Sequence, residues 1–136
     1  MKYWIGVVSK DHVQNGVKNG IMQIGHGKRS PLTRLKKGDW LIYYSPVKTF
    51  AGKEPLQAFT ALGQVADDEI YQYPISDDFI PYRRRINYQK VSDSPIRPLI
   101  EKLSFIKSKQ SWGYVFRFGL VEIPEADFIT IKNSMT

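Results

Sequence analysis

Cysteine is absent from all 136 residues. That excludes disulfides, thiol nucleophiles and thiolate metal sites together, and it fits a reducing compartment. No stretch approaches the ~20 apolar residues that a membrane-spanning helix needs. The opening run Tyr3 to Val8 is apolar but short. A cytoplasmic protein with no membrane partner is expected. Histidine is scarce: His12 and His26 have no partner at metal-ligand spacing. The sequence contains no H-E-x-x-H, no G-x-S-x-G and no phosphate-cradling G-x-x-x-x-G-K. Acidic clusters are limited to Asp67-Asp68-Glu69 and Asp77-Asp78, both read as solvated turns. The expectation is no catalytic residue, no metal and no cofactor. Internal repeats, low-complexity tracts and linkers are missing as well, so one domain over residues 1–136, favoured as a monomer, is expected.

What the chain does have is positive charge and aromatic rings. Twenty Lys and Arg against thirteen Asp and Glu leave a net charge of +7. An excess of that size favours polyanions, because each phosphate neutralised releases a condensed counterion. Aromatics make up 13% of the residues. Cations together with rings are what a protein needs to hold a phosphate chain and stack its bases.

The order of elements follows from period and punctuation. Tyr3–Val8 predicts a strand. Ser9 stands at a helix N-cap position, Val13 and Val17 form the helix's apolar seam, and Asn19-Gly20 ends it. Ile21–Ile24 predicts a second strand, followed by the basic loop 25–31 and one helical turn over Leu32–Leu35. Trp40–Tyr44, apolar throughout, predicts a strand buried on both faces that stops at Ser45-Pro46. Leu56–Val65 is the longest strand candidate, with Gly63 a bulge or close-packing point. Arg83–Tyr88 predicts a strand, Pro95–Leu103 a helix, Tyr114–Phe118 a strand, and Pro124 opens a C-terminal helix. Strands and short helices without βαβ alternation indicate an α+β fold, mainly antiparallel, with a curled sheet or small barrel.

Three places bring polar groups and rings to strand ends or loops, where binding groups concentrate. They are Tyr44-Ser45-Pro46, Phe79 to Tyr82, and Ser111-Trp112-Gly113. The basic elements are Lys28-Arg29 in the loop that holds His26, Lys36-Lys37 beside a turn, and the Arg83-Arg84-Arg85 run, in which Arg83 and Arg85 share one strand face and Arg84 takes the other.

Several short motifs resemble the EVE-domain family. They are Trp4-Ile5-Gly6-Val7-Val8-Ser9, Gly25-His26-Gly27-Lys28, Gly38-Asp39-Trp40, Tyr43-Tyr44-Ser45-Pro46, Leu56 to Ala61, Ser111-Trp112-Gly113-Tyr114, Phe116-Arg117-Phe118-Gly119 and Ile123 to Phe128. Their order covers nearly the whole chain. The resemblance implies a PUA-like α+β fold, a strongly bent pseudo-barrel sheet with flanking helices, related to the YTH and ASCH groups. It also implies recognition of RNA or DNA, with a modified base held in an aromatic-lined pocket. Where other branches of the superfamily place a pocket tryptophan after the first helix, this chain has Ile21-Met22-Gln23. Rings for a cage must then come from Trp4, Tyr44, Phe79, Tyr82 or Trp112. Ser9, Asn19, Gln23 and Ser45 are the expected partners for the base edge, with Lys10, Met22 and Pro46 beside them. His26, Lys28, Arg29, Arg83 and Arg84 are the expected phosphate contacts. Two other readings stay open: an enzyme acting on nucleotides or RNA through His26 with Asp39 or Ser45, and a small-molecule or protein-interaction domain.

Overall fold

The structure, a computed structural model, describes residues 1–136. The elements are β1 (Tyr3–Val7), α1 (Lys10–Asn19), β2 (Ile21–Met22), α2 (Arg29–Leu32), β3 (Trp40–Val47), β4 (Pro55–Val65), β5 (Tyr71–Gln72), β6 (Tyr82–Gln89) and β7 (Ser94–Pro95). Two 3-10 helices follow, Arg97–Lys102 and Trp112–Phe118, then β8 (Leu120–Ile123) and α3 (Glu125–Met135). The main path of the sheet runs β2-β6-β4-β3-β1-β8, with β5 on β6 and β7 on β4. Every pairing is antiparallel except β1 with β3. This is the curled, mostly antiparallel sheet of a PUA-like α+β fold.

Both faces of the central strands are covered, which explains their unbroken apolar runs. Successive residues of β1 and β3 go to opposite sides, and a register irregularity opposite Tyr43 and Tyr44 resets the alternation of β4 between Phe59 and Ala61: Ile5, Ile42, Tyr44, Phe59 and Leu62 join a core under the 3-10 helices and α3. Trp4, Leu41, Tyr43 and Ala61 join a second core with Val13, Met22 and Leu32 from α1, β2 and α2, and with Ile24 and Leu35 from the segments after β2 and α2. Gly63 is the close-packing point: a Cβ there would lie 2.6 Å from Ile86 Cγ2 and 3.0 Å from the Asn87 carbonyl.

Four expectations from the sequence are corrected. Residues 112–118 form a 3-10 helix instead of a strand, because only Phe116 of this segment is buried and the edge of β1 is taken by Leu120–Ile123. Helix Pro95–Leu103 is a 3-10 helix over Arg97–Lys102, although its apolar face of Ile96, Leu99, Ile100 and Leu103 is buried as its spacing requires. The second strand ends at Met22. β3 runs on through Ser45-Pro46 to Val47, since a register irregularity between Ser45 and Val47 accommodates a residue that cannot donate to the ladder.

Candidate functional site

β1 ends at Val7, and the chain turns through Val8 and Ser9 into α1. Beside that turn runs the segment Gln23 to Gly27, where Gly25, His26 and Gly27 all have positive φ (57°, 60° and 79°). Two of the three are glycine; His26 is held in a conformation that costs most side chains energy, a form of strain that concentrates at functional sites. Gly27 also needs the absence of a side chain. A Cβ there would lie 2.3 Å from Pro81 Cβ, and the Tyr82 amide donates to the Gly27 carbonyl at 2.9 Å. The 73–81 hairpin is thereby clamped over the 25–27 loop.

Between these pieces lies an open cleft of about 430 Å³, lined by Val7, Val8, Ser9, His12, Gln23 to Gly27, Phe50 and Phe79. A second space of about 200 Å³ adjoins it, shares His12, Gln23 and Phe79, and adds Asn15, Tyr43, Ile75 and Arg83. The cleft rim is aromatic. His12 stacks on Phe50 with centroids 4.9 Å apart at 16°, and His26 meets the same ring edge-on at 5.5 Å.

The polar groups have defined senses. Arg83 Nε donates to Gln23 Oε1 at 3.1 Å. A guanidinium only donates, so the Gln23 amide oxygen is committed and its NH2 is left as the donor for a ligand. Ser9 Oγ donates to Asp11 Oδ1 at 2.6 Å, which leaves the hydroxyl oxygen as an acceptor. Burial pushes the phenol of Tyr43, a lining residue of the second space, well up, so its hydroxyl stays neutral beside Tyr88 and the Gln23 backbone amide. The cleft thus offers flat rings at its mouth and both a donor and an acceptor on its walls.

Asp11 holds this arrangement without lining it. Its carboxylate accepts from Ser9 Oγ, from the His12 amide at 2.9 Å and from the Phe50 amide at 3.2 Å. Burial by itself would raise its pKa, but these bonds and the nearby His12 imidazole outweigh it and hold the carboxyl below the usual range. A depressed value means that the tether is intact above the ordinary carboxylate pKa and is lost as pH falls through the folded value. Asp11→Ala is expected to speed amide exchange at Phe50 roughly tenfold, about the net worth of one hydrogen bond. In the native chain the same loosening should appear only as the pH falls below ~4. Exchange at Phe50 that is unchanged by Asp11→Ala would remove this role.

Of the residues singled out by the sequence, the structure brings Ser9, Gln23, His26 and Phe79 to the cleft, with Arg83 in the adjoining space. Lys28 and Arg29 follow Gly27 directly and are exposed, without lining the cleft. The others go elsewhere. Trp4 is buried and donates its indole N–H to Asp39; Met22 is fully buried in the second core. Tyr44 is buried in the first core, stacked on Phe116 at 4.2 Å, with its phenol pushed up to about 12 by burial. Ser45 is buried against Thr60 at 2.7 Å, and Pro46 follows it within β3. Asn19 folds back on Asn15, Lys10 pairs with Asp93, and Tyr82 packs on the second core. Trp112 lines a separate groove.

Arg84, expected at phosphates, is instead a buried strut. Its Nη1 donates to the Leu32 and Leu35 carbonyls at 2.9 and 2.7 Å, and Nη2 donates to the Asp67 carbonyl at 2.6 Å. The acidic turn 67–69 is not merely solvated either, because Asp67 and Glu69 pair with Arg85. Asp39 and Ser45, the expected acid–base partners of His26, are buried and hydrogen-bonded to other groups, and neither lines the cleft. Sequence reasoning missed His12, considered as a metal ligand without a partner, and Phe50. The available signal was Phe50 itself, a large apolar side chain among Lys, Thr, Ala and Gly in a loop.

The comparisons agree with this architecture. The EVE domain model matches residues 2–134. A UPF0310 protein of Mycobacterium avium is 47% identical over 100% of this chain and 99% of its own. One from Bacillus subtilis is 43% identical over 98% of this chain and 91% of its own. Among solved structures, the MmI1 YTH domain aligns with a TM-score of 0.57 at 14% identity, covering 98% of this chain and 93% of that one. A protein from Pseudomonas syringae aligns with a TM-score of 0.59 at 12% identity, covering 96% and 97%. At such identities the structural likeness speaks for the fold alone. No helix is long and apolar enough to cross a membrane. With the family model spanning nearly every residue, and full-length relatives above 40% identity, the chain belongs to the EVE-domain family.

Proposed function

We propose that the cleft is a non-catalytic reader that takes up one base of RNA or DNA, modified bases included. The observation that carries the reading is the pairing of a ring-lined mouth, His12, Phe50 and Phe79, with a Gln23 amide whose donors are left free by Arg83. A space of about 430 Å³ lies within the range of small-ligand sites. Rings around one slot with a few oriented polar groups suit an extruded base. In this reading the exposed Lys28 and Arg29, which follow the cleft residue Gly27, and Arg83 in the adjoining space contact its phosphates, and the EVE-domain membership supports a nucleic-acid ligand.

Titration against modified and unmodified oligonucleotides, as RNA and as DNA, at two salt concentrations tests this. Affinity should fall with salt, by a slope of about 0.7 per phosphate contacted on a single strand. Phe79→Ala should weaken binding roughly 5- to 150-fold, the span of a lost stack. Gln23→Ala should cost about 1–3 kcal/mol and flatten the preference among bases. Absent or salt-independent binding overturns the reading.

A further inference from the structure

Trp112, which the cleft does not use, lies in a different groove of about 300 Å³ formed by the second 3-10 helix and the segment Phe105–Ser108 before it. Three features set this face apart. First, its rings are open to solvent: Tyr114 is 57% exposed and Phe118 64%. Second, guanidinium groups already lie on rings here. Arg117 sits 3.7 Å from the Tyr114 centroid and 5.0 Å from that of Phe118, and Arg97 lies 5.4 Å from that of Trp112. Third, the charge is one-sided. Residues 97–118 hold five basic residues and one acidic, a net +4 out of the chain's +7. Lys109 is spent on the carbonyls of Ile100, Leu103 and Ile106, but Lys107 lines the groove and Arg117 is exposed.

The groove is also joined to the cleft. The Val7 amide donates to the Gly119 carbonyl at 2.8 Å, so the residue after Phe118 is bonded to the strand end that forms the cleft wall.

We propose that this face is a stacking platform for single-stranded nucleic acid, carrying the strand that flanks the base held in the cleft. The path between the two sites rests on the reading of the cleft given above; the platform itself rests on its own rings and charge. Tyr114, Phe118 and the Trp112 edge take successive bases, while Arg97, Lys107 and Arg117 neutralise the phosphates. A duplex offers no free base faces, and an acidic peptide would use the cations but not the exposed rings.

The test uses the full chain with fluorescently labelled 12-nucleotide single strands, RNA and DNA, 3-nucleotide fragments, and a blunt duplex of the same sequence. Tyr114→Ala with Phe118→Ala, both at solvent-exposed positions, should keep the melting temperature and weaken the 12-nucleotide strand tenfold or more. The 3-nucleotide fragment should lose little. The 12-nucleotide strand should quench tryptophan emission in the native protein, and Trp112→Phe should remove that quench. If the double variant binds the long strand as the native protein does, the platform is wrong whatever the cleft does. If the blunt duplex binds as tightly as the single strand, single-strand stacking is wrong too. If Phe79→Ala has no effect while the double variant weakens the long strand, the cleft reading falls and the platform stands. Should the double variant turn a dimer into a monomer by sedimentation with oligonucleotide affinity unchanged, the face belongs to a second copy of the chain. No binding of any strand overturns both proposals.

Discussion

Asp39→Ala is expected to lower the unfolding free energy by about 3–5 kcal/mol, a large part of the ~5–15 kcal/mol that holds a typical domain together. The carboxylate is almost fully buried at the entrance to β3. Oδ1 accepts the Lys2 amide, and Oδ2 accepts both the Lys36 amide and the Trp4 indole N–H, all at 3.0 Å. Alanine leaves three donors facing a space with no acceptor, one of them on a tryptophan only 2% exposed. Asp39→Asn should cost less, because its amide oxygen can replace Oδ2 and only the Lys2 amide then faces an NH2. Urea unfolding of the three proteins at neutral pH checks the order.

Acid supplies an independent reading of the same residue. Burial would raise the Asp39 carboxyl, but the Lys2, Lys36 and Trp4 donors and the nearby N-terminal ammonium outweigh it and hold the value below the usual range. The sign follows: the carboxylate's stabilisation is complete above its unfolded pKa of about 3.9 and disappears as pH falls through the lower, folded value. The native protein should therefore lose stability steeply below pH ~4, and Asp39→Ala should lose it with a shallower slope. Parallel slopes would mean that other carboxylates carry the acid response.

Arg84→Met ranks second, at about 2–4 kcal/mol. Methionine keeps much of the apolar stem but removes the donor from the Leu35 and Asp67 carbonyls and one of two from Leu32, which keeps the Leu35 amide at 3.3 Å. Arg84 is 1% exposed, and burial pulls its pKa down while Asp68, Asp67 and Asp39 oppose that; the guanidinium remains charged. Placed at the carbonyl end of α2, it adds a donor to the last helical carbonyl, Leu32, and caps the Leu35 carbonyl beyond the helix. Arg84→Lys should recover only part of the loss, since two separate nitrogens of the planar fork, Nη1 on Leu32 and Leu35 and Nη2 on Asp67, would be replaced by one compact ammonium. Any oligonucleotide bound by the folded remainder should keep its salt dependence unchanged. A reduced salt slope would return Arg84 to the phosphate contacts.

The two arginines next to each other show where local reasoning stops. Alternation along β6 correctly separates Arg84 from Arg83 and Arg85. It cannot say that α2 and the 67–69 turn close over one face, which makes Arg84 internal, while β5 brings the rings of Tyr71 and Tyr73 to the other. Likewise Tyr44-Ser45-Pro46 reads as a strand opening into a loop, because serine and proline usually end strands. The irregular pairing with β4 carries the strand onward and buries both Tyr44 and Ser45. His12 shows the reverse case. On a helix alone it is solvated, and it becomes part of a site only because Asp11 tethers the distant Phe50 loop over it.

By itself, the sequence determined what depends on period, steric demand and composition. The doubly covered central strands, the buried face of residues 96–103, the close approach at Gly63, the basic and aromatic excess and the EVE-domain membership are all of that kind, since each is set by neighbours along the chain or by matched motifs. Only the tertiary structure decided which rings and polar groups share a space. The cleft joins residues from the end of β1, the start of α1 and the loops around 25, 50 and 79, and no local pattern encodes the packing that brings them together. The same packing sends Trp112 to a face of its own.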